Sequence, residues 1–320
     1  MIESWKTFLL SQNAQFENGS VAHYGDADAE RAAAIDGTVM ADLSQLGVIA
    51  FSGEETTAFL QGQLTNDVRA LHADGAQWSG YCTPKGRLLG NFLVWRDGDD
   101  TCLQLSGDIL PSVLKRLSMF VMRAKTRGRD ASDERVRLVV AGPAAPEAVT
   151  AALGPIPESI MQSVAHPAGR CVRVGSDKFV LSILPEQAET AWHSLKTHAR
   201  PVGVPVWDWL RLNAGIPMIV AATQEQFVPQ MVNYEALGGV SFQKGCYPGQ
   251  EIVARSQYLG KMKRRMVLAH VDAAAAPAPT GGYDLLAVTQ IESARSQTLH
   301  LKTADGPALA LRPLPYAVPE

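Results

Sequence analysis

Apolar and polar positions change over in short blocks along this chain, and the blocks have two periods. Residues 47–53 form a brief apolar run closed by Ser52-Gly53, which reads as a buried strand entering a turn. Ser52-Gly-Glu-Glu55 then has the form of a capping box, so a helix is expected from about Glu54. Gly80-Tyr-Cys-Thr-Pro-Lys-Gly86 is a turn signal before a strand over 88–95, and Arg96-Asp-Gly-Asp-Asp100 turns it into a hairpin partner at 101–105. Ile109, Leu110, Val113, Leu114, Leu117, Phe120 and Val121 recur at helical spacing and predict a helix over 108–122. Further strands are expected at 136–141, 171–174 and 179–183, with helices over 185–199, 210–215 and 251–258. Strand and helix alternate irregularly and with hairpins, which predicts an α+β fold rather than a doubly wound sheet. No internal repeat is apparent.

With 320 residues the chain has room for two domains or three small ones. Its 29 Lys and Arg against 32 Asp and Glu give a net charge of −3, which excludes coating nucleic acid through bulk charge but leaves local basic patches open. Cys82, Cys102, Cys171 and Cys246 form no CxxC pair and no Cys/His cluster, so neither a zinc site nor a disulfide framework is expected. The first residues carry an acid at Glu3 and no long apolar stretch, and apolar runs such as 216–222 are far too short to span a bilayer. The expectation is a cytoplasmic protein with no membrane contact. The low-complexity stretch 273–282 is expected to be a loop inside a small C-terminal β domain.

The densest chemistry lies in Lys244-Gly-Cys-Tyr-Pro-Gly-Gln-Glu251. Gly245, Pro248 and Gly249 turn the chain around Cys246 and Tyr247, and Gln250 and Glu251 stand where the next helix begins. A helix N-terminus and the neighbouring Lys244 would both favour a thiolate at Cys246, whereas the plain alternative is a small packed thiol. Trp207 and Trp209, two apart ahead of the helix expected at 210–215, read first as core packing, and Lys85 and Arg87 lie on the turn after Pro84. Basic clusters occur at Arg255, Lys261, Lys263, Arg264 and Arg265, and at Lys115, Arg116, Arg123, Lys125, Arg127 and Arg129. A solvated face is the ordinary reading of each, and a dock for carboxylates, an acidic protein or tRNA the sharper one.

Lys244 to Glu251 closely resembles the K-G-C-Y-x-G-Q-E signature of the YgfZ family, folate-binding proteins related to the T-protein (aminomethyltransferase) of the glycine cleavage system. Further matches follow in order: Phe59-Leu-Gln-Gly-Gln-Leu-Thr-Asn-Asp67, Thr83-Pro-Lys-Gly-Arg87, Arg211-Leu-Asn-Ala-Gly-Ile-Pro217, Phe227-Val-Pro-Gln230 and Leu314-Pro-Tyr316. The resemblance implies a T-protein-like folate-binding fold over residues 1–260, in two α+β units dividing near 130, and a small C-terminal β-barrel over 261–320. It implies tetrahydrofolate, or another folate, as cofactor, held by Trp207, Lys244, Tyr247, Gln250, Glu251, Arg255, Lys85 and Arg87, with Cys246 as a functional thiol. It also implies support of iron–sulfur clusters in client enzymes, including a tRNA-methylthiolating one, with tRNA reached indirectly through them.

One departure matters. Where T-proteins carry paired aspartates beside the folate, this chain has Gly90 and Asn91, and a pterin-holding glutamate expected near Arg173-Val-Gly-Ser-Asp177 is missing. Neither replacement can move a proton or stabilise positive charge as a carboxylate does. Two rival readings stand beside the accessory role: a tetrahydrofolate-dependent one-carbon transferase or demethylase, and a protein- or tRNA-binding scaffold with a vestigial cleft.

Overall fold

The computed structural model describes every residue except Leu259, Lys261, residues 273–281, Gln297, Thr298, Ala304 and Glu320. The expected loop at 273–282 therefore lies, but for Gly282, outside the described residues, as does Lys261. Two units are assembled from interleaved stretches: Met1–Thr56, Ala70–Gln77 and Leu93–Trp207 form the first, and Thr57–Arg69, Trp78–Phe92 and Asp208–Glu320 the second.

The alternating blocks form the elements they predict, with informative exceptions. Hairpin strands Leu88–Asp97 and Asp100–Ser106 meet at Gly98, and the 109–121 periodicity becomes helix Leu110–Val121 with Leu110, Val113 and Leu117 buried. The capping box does not form. The Glu55 carboxylate accepts from the Lys125 backbone N–H at 2.5 Å instead, and the helix runs Thr56–Gln61. The helix expected at 210–215 begins earlier, as Val204–Asn213, because Pro205 fits the first turn of a helix, where its missing N–H costs nothing. Trp207 and Trp209 thus share one helix on different faces, Trp207 buried and Trp209 half-buried.

A repeat hidden in the sequence is visible in the topology. Strand Leu46–Ser52, helix Thr56–Gln61, strands Ala76–Cys82, Leu88–Asp97 and Asp100–Ser106, helix Leu110–Val121 and strand Arg127–Asp130 follow in that order. The series returns as strand Val136–Ala141, helix Ala145–Leu153, strands Ser163–His166, Gly169–Gly175 and Lys178–Ile183, helix Pro185–Leu195 and strand Arg200–Pro201. In each copy the second, third and fourth strands lie in chain order across the sheet, and the first strand pairs antiparallel with the fourth. In the first copy the next place is taken by Arg127–Asp130. In the second it is taken by Val39–Asp42, donated from ahead of both copies, and Arg200–Pro201 pairs parallel outside it. Gly53 and Gly142 mark the shared corner, at φ 125° and 123°. A Cβ there would strike the Lys125 carbonyl in one copy and the Gly37 carbonyl in the other.

The core of the first unit gathers Trp5, Phe8 and Trp192, with Trp5 stacked on Phe8 at 5.1 Å and edge-on to Trp192 at 5.6 Å. In the second unit the C-terminal strands Gly282–Gln290, Arg264–Asp272 and Ala310–Arg312 form an antiparallel sheet in that order. The expected barrel is not closed among the described residues. Ala310–Arg312 covers only Leu268–His270, and inside the expected β domain Ile291–Ser296 forms a helix, with Glu292 in its first turn and Arg295 in its last. The Asp284 carboxylate ties this sheet to helix Val204–Asn213. It accepts from Trp209 Nε1 at 2.7 Å and Asn213 Nδ2 at 3.2 Å and meets His270 Nδ1 at 2.6 Å and Arg312 at 3.1 Å. Burial would raise the Asp284 pKa, but these partners outweigh it and hold the carboxyl below its ordinary range.

Candidate functional site

Every signature stretch quoted above lies in the second unit, although they span residues 59–316. Three of them, 59–67, 83–87 and 227–230, meet the loop ahead of helix Gln250–Tyr258 or that helix itself, whereas 211–217 and 314–316 meet each other through Tyr316 Oη and the Gly215 carbonyl at 2.7 Å. Lys244 and Tyr247 are buried, and the two residues between them, Gly245 and Cys246, are exposed. The Lys244 ammonium donates to three backbone carbonyls, Gln61 at 2.6 Å, Leu64 at 2.5 Å and Asn66 at 3.1 Å. It also lies 5.1 Å from the centre of the Tyr247 ring. The last carbonyls of a helix lack partners of their own, so Lys244 caps helix Thr56–Gln61 and the turn that follows. Burial pulls its pKa down to about 8, against the opposing pull of Asp67.

Those three stretches brace this arrangement. Thr65 Oγ1 donates to the Gly239 carbonyl at 2.6 Å and accepts from Gly80 N–H at 2.7 Å, and Asn66 Nδ2 donates to Trp78 and Gly238 carbonyls at 2.8 and 2.7 Å. Gln250 Nε2 reaches back to the Lys244 carbonyl at 3.3 Å, and Gln230 Nε2 donates to Val253 at 2.7 Å. The turn Thr83-Pro-Lys-Gly-Arg87 sits against the loop backbone to backbone. A Cβ on Gly249, at φ 81°, would fall 2.6 Å from both N and Cα of Gly86 and closer still to the Thr83 carbonyl. Arg87 spends one N–H on the Gln226 carbonyl at 2.6 Å.

Eight of the nine predicted residues thus belong to one unit. Trp207 closes the other, buried, with its indole N–H unpartnered. All three Lys244 N–H groups face carbonyls, so its ammonium acts inward. Lys85, Glu251 and Arg255 are exposed, and no ion pair links Glu251 to Arg255 among the described residues; both line a shallow hollow with Ala254 and Tyr258. In the basic cluster nearby, Arg265 is buried on Glu235. Cys246 is the exposed thiol; burial pushes those of Cys82, Cys102 and Cys171 up to about 12 and keeps them protonated. Sequence reasoning missed the carbonyl cup for Lys244, and the only trace of it was the coincidence of two motifs.

The GCVT N-terminal domain family model matches residues 10–237. The tRNA-modifying protein YgfZ of Sodalis glossinidius (strain morsitans) is 31% identical over 312 residues, covering 87% of this chain and 93% of that protein. The chain belongs to the YgfZ family. A second relative of the same name, from Colwellia psychrerythraea, is 33% identical over 72% of this chain and 70% of its own length. In fold, this YgfZ chain is similar to the glycine cleavage system aminomethyltransferase T of Bartonella henselae, with a TM-score of 0.76 and 17% identity, covering 97% of this chain and 96% of that one. Among the described residues no helix is long and apolar enough to cross a membrane.

Asn91, one of this YgfZ chain's two departures from the T-protein aspartates, is a built part of the structure. Its Nδ2 donates to the Pro217 carbonyl at 2.9 Å and its Oδ1 accepts from Ile219 N–H at 2.8 Å, at a site only 8% exposed. An aspartate could accept but, ionised, not donate. Asn91→Asp is therefore expected to cost about 2–4 kcal/mol at neutral pH, through a buried charge facing a carbonyl. Burial would raise the new carboxyl's pKa above its unfolded value, so the loss should set in as pH rises through that value and shrink below it. Urea unfolding at pH 7 and pH 4.5 measures both; equal stability at neutral pH would show that Asn91 does not bridge this segment.

Proposed function

We propose that this chain is a tetrahydrofolate-binding accessory protein that supports assembly or repair of iron–sulfur clusters in enzymes, tRNA-modifying ones among them. The observation that carries this reading is Cys246, exposed between two buried anchors on a loop braced by distant motifs. A thiol that served only packing would be buried, as the other three are. The names of the YgfZ relatives and the T-protein-like fold support the folate and tRNA-enzyme parts of the reading. The folate-binding region is assigned to residues 1–260, its two α+β units dividing near 130, with 261–320 appended.

The residues present fit a folate. Trp207, whose buried indole N–H has no partner among the described residues, is assigned to a pterin edge. Tyr247 offers a second ring, Gln250 and Glu251 a polar edge, and Lys85, Arg87 and Arg255 cations for the glutamate tail. Lys244 acts by holding the loop. Bound folate would supply one-carbon chemistry, but Gly90 has no side chain and the Asn91 amide is committed to backbone, which favours an accessory role over methylene transfer.

Calorimetric titration with tetrahydrofolate tests the cofactor. Micromolar binding is expected, weakened tenfold or more, about 1.4 kcal/mol, in Trp207→Ala. No heat, or equal affinity in that variant, would remove the assignment. For the thiol, Cys246→Ser is expected to fold normally and fail to restore iron–sulfur enzyme activity in a deletion strain; full rescue would end the case for it.

A further inference from the structure

From Ile109 to Arg129 the chain carries six cations (Lys115, Arg116, Arg123, Lys125, Arg127, Arg129) and no acid, within a protein of net charge −3. The structure sorts them. Arg129 is held by Asp100 at 2.6 Å and Glu134 at 2.7 Å, and Lys125 pairs with Glu54. Arg116 lies over the Phe120 ring at 5.9 Å. Lys115, Arg123 and Arg127 are exposed and have no ion-pair partner among the described residues. Helix Leu110–Val121 buries Leu110, Val113 and Leu117, yet Met119, Phe120 and Met122 are left 68%, 47% and 85% exposed. These are three of the nine large exposed hydrophobic residues described, all within four positions. Scattered surface hydrophobes need no explanation; a cluster beside unpaired cations marks a contact surface.

We propose that the end of this helix and the segment after it, residues 115–127, form a docking surface for single-stranded RNA. The ligand must be anionic along its length and must offer flat apolar faces, which is what an unpaired strand or loop presents and a duplex hides. Lys115, Arg123 and Arg127 take phosphates, and Phe120, already backed by the Arg116 guanidinium, takes a base. That guanidinium decides against a lipid surface. It sits amid the apolar cluster, where hydrocarbon would penalise it and base stacking uses it. The proposal does not depend on folate binding.

Fluorescence anisotropy with a labelled 12-nucleotide oligouridylate tests this in the full chain. Binding is expected at 50 mM salt, with a slope of log affinity against log salt of about −2, roughly −0.7 for each of three phosphate contacts. Arg123→Ala with Arg127→Ala should bring the slope to about −0.7, whereas Phe120→Ala should weaken binding about tenfold and leave the slope unchanged. Each variant should keep the wild-type unfolding midpoint. The proposal is overturned by absent binding at 50 mM salt or by binding indifferent to these variants. It is equally overturned by phosphatidylserine vesicles that bind the patch when RNA does not. An oligoglutamate 12-mer that competes as well as the RNA would reduce the patch to charge alone and overturn it too.

Discussion

Lys244→Met is expected to cost about 3–5 kcal/mol of unfolding free energy and to loosen the loop around Cys246, because it strips three carbonyls, one buried and two partly buried, of their donor at once. Each orphaned acceptor carries a penalty of about 1–3 kcal/mol, partly offset by no longer burying an ammonium. Lys244→Arg should not restore the loss. Three carbonyls converge on one nitrogen, and a planar guanidinium presents its N–H groups as a fork. Amide exchange separates a local from a global effect. Protection at Gln250 and Val253, whose N–H groups bond Tyr247 and Gly249 at 3.1 Å, should fall before that of the first unit's strands. A methionine variant within 1 kcal/mol of wild type, with unchanged exchange, would mean the cup is not needed. The same lysine gives a pH signature. Burial places its folded pKa at about 8, below its ordinary 10.5, so between those values the unfolded chain keeps a proton that the folded one has released. Stability owed to Lys244 therefore rises with pH across that window, by at most about 1.4 kcal/mol per unit. The gap between wild type and Lys244→Met should widen from pH 8 to pH 10; a narrowing gap would show the carbonyls outweighing burial and holding the ammonium charged.

What could be read from the sequence was whatever leaves a side-chain pattern. Helical spacing from Ile109 to Val121 and the turn around Gly98 produced their elements because local periodicity and turn chemistry decide them. The capping box failed because Glu55 found a backbone N–H 70 residues away, a tertiary partner that no local motif announces. The repeat stayed hidden because its copies share an order of elements, which fixes no residue pattern, and in the sheet the second copy takes its neighbour from Val39–Asp42, ahead of the first copy. At the site, the motifs were legible but their meeting was not. Lys244 is received by backbone carbonyls about 180 residues earlier, and carbonyls are present at every position whatever the residue. That is also why the cation beside Cys246 read as a thiolate partner, whereas its charge is turned toward the interior.

Gly249→Ala should be the most damaging single methyl group in the signature, with a loss of about 4 kcal/mol or more. Two costs add. At φ 81° an alanine is in the left-handed region, which disfavours it by about 1–2 kcal/mol. Its Cβ would then fall 2.6 Å from N and Cα of Gly86 and onto the Thr83 carbonyl, all backbone atoms with no rotamer by which to move aside. Relief requires the loop and the Thr83–Arg87 turn to part, which would release Cys246 from its fixed setting. Gly245→Ala is the matched control. It stands one residue from the thiol, has no positive φ, and its added Cβ would meet nothing within 4 Å, so it should cost less than about 1 kcal/mol. Urea unfolding of the two variants side by side asks whether the signature needs glycine for the thiol's freedom or for backbone contact. A severe Gly249→Ala with a mild Gly245→Ala places the requirement at the contact with the Thr83–Arg87 turn. Equal, mild losses would mean that turn and loop do not meet at this distance, and the bracing of Cys246 would have to come from Lys244 alone.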